Sequence, residues 1–177
     1  MRMHKILLLG LGMLTAACQS EADQVREYET RVRSLESIEE DTLLVTEAIA
    51  SFDAFAVNYP KDSLSAHYLL LAADLERNRP GRALFAVRRY QEIHKMFPEQ
   101  SEGALALFSM ALTFDEVLLD RARAGQGYTL FMDTYPNHPL AKQAADLRYL
   151  ASSDSALWKI LPEWEEKNRN HQSSQSQ

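Results

Sequence analysis

The sequence predicts an all-α fold of stacked helical hairpins, from a fixed period and from the spacing inside it. Residues 48–60, 86–98 and 124–136 read AIASFDAFAVNYP, AVRRYQEIHKMFP and AGQGYTLFMDTYP, so the chain repeats every 38 residues. Ala48, Ala86 and Ala124 share a column, as do Phe52, Tyr90 and Tyr128. Phe55, Ile93 and Phe131 follow, then Tyr59, Phe97 and Tyr135, and Pro60, Pro98 and Pro136 close the blocks. Aromatics are 9% of the chain, too few for two all-aromatic columns and a proline column to share one register by accident. A period of this size marks supersecondary units that stack because none buries its apolar face alone.

Within each block the columns fall at i, i+4, i+7 and i+11, one stripe of a 3.6-residue helix. The small alanine admits a neighbouring helix, the rings fill the space between helices, and proline stops the hydrogen-bond ladder. The remainder of each period is helical too. Before it, Val25, Tyr28, Val32 and Leu35 give the first repeat an apolar stripe, which also fits two coiled-coil heptads. Asp41 is placed to cap a helix starting at Thr42. An Ala/Leu run after Pro60 ends at the turn residues Asn78, Pro80 and Gly81. A second run after Pro98 breaks near Asp115–Asp120. Beyond Pro136, Leu140, Ala144, Leu147 and Leu150 predict a capping helix with these four facing inward. Asp154 is a plausible cap for a short helix carrying Trp158 and Leu161, ended by Pro162.

The expected organisation is an export signal over 1–17, a tether over 18–22 and one compact repeat domain over 23–150. The repeats span about 23–60, 61–98 and 99–136, with the capping helix at 137–150. A short helix over 151–167 and a tail over 168–177, without apolar residues and expected to be disordered, complete the chain.

Ala86, Tyr90, Ile93 and Pro98, with their counterparts in the other blocks, match the second helix of the tetratricopeptide repeat (TPR). The aromatic before each proline is similar to repeats of bacterial envelope lipoproteins in this class. The period is longer than the usual 34 residues of that family. The resemblance implies a TPR-like α-solenoid of about three 38-residue helix-turn-helix repeats plus C-terminal capping helices. It implies a protein- or peptide-binding role, with first helices lining a groove. The groove residues stay unassigned, because the first-helix register is ambiguous. Tyr68, Leu71, Ala72 and Leu75 fit in one repeat and Leu107, Met110, Ala111 and Phe114 in the next, shifted by one residue against the period. One residue turns a helix face by about 100°.

Arg2 and Lys5, the apolar run Ile6–Leu14 and Thr15-Ala16-Ala17 read as a signal peptide too short to anchor in a bilayer. Cys18, the single cysteine, follows at once. This resembles a lipobox, although Thr15 stands where leucine is commonest, and the resemblance implies lipid attachment at Cys18. Ordinary cleavage beside an incidental cysteine is the alternative. Gln19 in place of aspartate implies the outer membrane, facing the periplasm; the inner membrane and the cell surface stay open. Loss of residues 1–17 with Arg2 and Lys5 takes the formal charge from −6 to about −8. An acidic chain without a basic stripe argues against nucleic acid as partner.

The candidates for chemistry read as structure. His67 and His94 fall inside helices and His138 in a turn, and no metal-ligand spacing occurs among the five histidines. Glu39 and Glu40 beside Asp41 read as solvated carboxylates around a cap. Gly125 and Gly127 mark either a hinge or close approach of a partner, or a helix that starts late or forms loosely. No phosphate loop, nucleophile elbow or zinc-protease motif is present, so neither an enzyme nor a cofactor or metal is expected.

The expected function is a membrane-anchored scaffold for a protein or peptide partner in the bacterial envelope. The array resembles the TPR lipoprotein of the outer-membrane β-barrel assembly machinery, and also the periplasmic TPR cell-division coordinator. A structural lipoprotein without a specific ligand is the third reading.

Overall fold

The computed structural model describes residues 21–152, which fold as seven helices with no strand among them. Helix α1 covers 21–33, α2 Thr42–Asn58, α3 Ser63–Asn78, α4 Ala83–Met96, α5 Ser101–Leu112, α6 Arg121–Thr134 and α7 141–152. A π turn, Thr113–Val117, extends α5. The signal segment, Cys18, the expected helix from Asp154 with Trp158 and Leu161, and the tail lie outside the described residues.

The period of the sequence is a period of the backbone. Helices α2, α4 and α6 end at Asn58, Met96 and Thr134, one period apart, and α3 and α5 both start on a serine, Ser63 and Ser101. Each second helix stops in the same way. The N–H groups of Tyr59, Phe97 and Tyr135 donate to the carbonyls of Phe55, Ile93 and Phe131 at 2.8–2.9 Å. Proline then follows, with no N–H to continue the ladder. The shared columns are the core: Ala48, Ala86 and Ala124 are fully buried, as are Phe52, Tyr90 and Tyr128. Each such large side chain contributes roughly 1.5–3 kcal/mol on full burial.

Two compact units, Met1–Arg89 and Tyr90–Gln177, divide the chain inside α4, where a single unit was expected. In a repeated chain each hairpin buries its face against its neighbours, so no one core gathers the whole sequence. In the first unit Phe52 stacks on Tyr68 with centroids 5.3 Å apart, and Phe55 meets the same ring edge-on at 5.2 Å. Val25 is buried against this core, and Tyr28, Val32 and Leu35 pack on it, so the α1 stripe serves hairpin packing. In the second unit Leu107, Phe108, Ala111, Ala124, Tyr128, Phe131 and Ala144 form the core.

The first-helix ambiguity resolves in an instructive way. Buried Ser65, Ala66, Leu70 and Ala73 are matched one period later by buried Gly103, Ala104, Phe108 and Ala111, so the helix faces stay in phase. The large inward residue does not. Tyr68 fills its core from one position, whereas Ala106 stands one period later and Leu107 beside it supplies the volume. Close packing fixes total volume, not which of two adjacent positions provides it.

Two sequence expectations are corrected. Leu150 is exposed, and Ala151 is buried in its place: seven residues after buried Ala144 completes two helical turns, and residue 151, not 150, stands there. Gly125 and Gly127 sit within a regular helix that starts on time, with the Asp120 carboxylate accepting the Arg123 N–H. At Gly127 a Cβ would come 2.8 Å from that of Ala111, so this glycine admits the chain's own α5.

Candidate functional site

Turn and cap residues occupy most of the positions that suggested chemistry. Asp41 accepts the Leu44 N–H at 2.8 Å and caps α2. Glu39 and Glu40 are exposed beside it; the Ser37 hydroxyl and the Glu39 N–H hold the Glu39 carboxyl below its usual range. Asp62 caps α3 through the Leu64 N–H at 2.8 Å, and two periods later His138 Nδ1 accepts the Leu140 N–H at 3.1 Å. An imidazole thus does the work of a capping carboxylate, where the sequence suggested only an ordinary turn residue.

His67 Nε2 lies 3.2 Å from Glu29, which also pairs with Arg33. His94 Nδ1 lies 3.0 Å from the Tyr135 hydroxyl, which donates to the Pro98 carbonyl at 2.9 Å. With its one proton given to Pro98, Tyr135 can only accept from His94, which fixes the Nδ1–H tautomer. Burial pushes the Tyr135 hydroxyl above its ordinary value, with Glu99 adding to the effect, so it stays protonated. Among the described residues no three His, Cys, Asp or Glu side chains come together as a metal site. None of the described helices is long and apolar enough to cross a membrane.

Among the described residues, buried Ser65, Thr113, Glu76 and Asp115 also have defined partners. Ser65 Oγ donates to the Tyr59 carbonyl at 2.6 Å, and Thr113 Oγ1 to the Ser109 carbonyl at 2.7 Å. Glu76, 3% exposed, accepts two bonds from Arg82 at 2.8 and 2.9 Å, and Arg79 approaches to 3.5 Å. Asp115 accepts from the Tyr128 hydroxyl at 3.0 Å and pairs with Arg121, tying the π turn to α6. Neither sequence periodicity nor spacing signalled Glu76 or Asp115. Each is a carboxylate six residues before an arginine across a turn, a pattern visible only once the turn is known.

What remains as a binding feature is an open groove of about 720 Å³ between α6 and α7 in the second unit. Gly125, Thr129, Leu130 and Asp133 line one wall, and Arg148, Tyr149 and Ala151 the other. Leu130 and Tyr149 are 48% and 70% exposed, which leaves apolar surface in water, and Arg148 and Asp133 supply charge of both signs at the rim. A smaller hollow of about 380 Å³ in the first unit, between α1 and α2, carries Glu21 and Glu47. Sequence reasoning looked for a groove on first helices; the larger hollow has a second helix, α6, as one wall. Comparison of the chain with protein families, curated proteins and solved structures finds no match.

Proposed function

We propose that the chain is a TPR-like α-solenoid, tethered to a bacterial envelope membrane through lipid on Cys18 and acting by binding a protein or peptide partner. The periodicity carries this reading: helix ends, stopping hydrogen bonds and buried columns all recur after 38 residues. Arrays of this kind present extended surfaces to other chains. Among the described residues the buried carboxylates hold turns and His67, His94 and His138 bond neighbouring helices or turns, which supports binding rather than catalysis as the reading. The lipobox-like placement of Cys18 supports a tether, and Gln19 favours the outer membrane facing the periplasm, with assembly of that membrane as the process served.

Affinity recovery from cross-linked, detergent-solubilised envelopes tests the scaffold. One or a few proteins should copurify reproducibly; recovery of none across replicate preparations sinks it. The tether has a separate test. Cys18→Ala should abolish palmitate labelling and release the protein into the soluble fraction, and retained membrane association would refute it.

A further inference from the structure

Asp62, Gln100 and His138 stand one period apart, at the entries to α3, α5 and α7. Asp62 caps α3 with a carboxylate, Gln100 makes no side-chain cap, and His138 caps α7 with a ring nitrogen. Helix α5 holds without a cap because Ala104, Ala106, Leu107, Phe108 and Ala111 are buried. In α7 only Ala144 and Ala151 are buried, so this short helix leans more heavily on its cap.

The bond made by His138 differs in kind from those of His67 and His94. His67 donates to the Glu29 carboxylate and His94 to the Tyr135 hydroxyl, bonds that an imidazolium makes equally well. His138 accepts, and an imidazolium has no lone pair left to accept with. Its charge would also face the positive end of the α7 dipole. Phe131 and Tyr135 meet the ring edge-on, with centroids 5.4 and 6.5 Å away, and on α7 Lys142 pairs with Asp146. Among the described residues no carboxylate pairs with His138 to offset that charge.

We propose that His138 is a pH-sensitive cap, which holds α7 while its ring is neutral and releases the helix on protonation. The bond therefore contributes at neutral and alkaline pH and is lost as pH falls through the interval, about 5 to 8, in which imidazoles titrate. Helix α7 supplies Arg148, Tyr149 and Ala151 to the groove, so acid loosens that wall and couples binding there to pH.

Hydrogen exchange of the full chain, expressed as protection factors so that the intrinsic pH dependence cancels, tests this. Between about pH 8 and 5.5 protection across 144–151 should fall about 2- to 30-fold, the range for loss of a helix N-cap. Helix α3, with its carboxylate cap, should hold over the same interval. His138→Asp should retain α7 protection in acid, and His138→Ala should lack it already at alkaline pH. If neither variant folds, the ring resonances of His138 in the unaltered chain should titrate in step with the α7 amides. Protection of α7 that is indifferent to pH, a fall that persists in His138→Asp, an equal fall in α3, or ring titration out of step with α7 overturns the proposal.

Discussion

Gly81 and Leu119, one period apart, are the two described residues with positive φ, at +71° and +54°. Each turns the chain from a first helix into a second one, so the repeat extends to the handedness of its turns. The left-handed conformation suits glycine and strains leucine by about 1–2 kcal/mol. Leu119 is 70% exposed and gives up little packing on replacement. Leu119→Gly should therefore raise stability by about 1 kcal/mol and Gly81→Ala lower it by about as much. Urea denaturation checks both, and a destabilised Leu119→Gly would show that the leucine is held there by contacts.

Asp115 sits 4% exposed between the Tyr128 hydroxyl and Arg121. Tyr128→Phe keeps the ring and deletes one donor to a buried carboxylate, which should cost about 1–3 kcal/mol. Its effect should vanish in an Asp115→Ala background, which has no side-chain acceptor, if the hydroxyl acts only through this carboxylate. A double-mutant cycle measures the coupling.

Three helical glycines should respond differently to alanine. At Gly125 nothing lies within 4 Å of a new Cβ, so the substitution should stabilise by about 1 kcal/mol through helix propensity alone. Gly127→Ala meets Ala111 at 2.8 Å and should lose about 1–3 kcal/mol as α5 and α6 are forced apart. Gly103→Ala places the methyl 2.0 Å from the Phe97 carbonyl oxygen and should be the most damaging. Thermal melts of the three variants rank them, and any other order contradicts the packing described.

Stability should fall in acid partly through Glu76. Hydrogen bonds from Arg82, helped by the charges of Arg82 and Arg79, hold its carboxyl below 4.5 against the opposing effect of burial. A carboxyl depressed on folding contributes stability that is complete above its unfolded value and lost as pH falls through the folded one. Glu76→Gln should cost about 2 kcal/mol at neutral pH, the scale of a charge-assisted hydrogen bond. The gap should close below about pH 4.5. Parallel stability curves for the two proteins from neutral to acid pH would remove Glu76 from the acid transition.

Second helices were the legible part of the sequence, because Ala86, Tyr90, Ile93 and Pro98 each do a job that depends on size or ring geometry. First helices were less so, since Tyr68 and Leu107 fill equivalent space from positions one residue apart. Leu150 misled because hydrophobicity alone favours it over Ala151, whereas helical rotation decides which is buried. The break at Asp115–Asp120 was visible, but its π turn was not: that turn depends on the Leu118 N–H reaching the Thr113 carbonyl. The groove walls carry no repeated motif. They are formed by what the period leaves uncovered, which no local pattern reveals.

The common exit taken by Asn58, Met96 and Thr134 has an evolutionary corollary. Punctuation of that kind makes the hairpin a cassette: in-frame duplication or excision between two prolines rejoins chemically matched ends. Length variants of such a gene should thus differ by whole multiples of 38 codons, and a deletion of any other size across these boundaries should not fold.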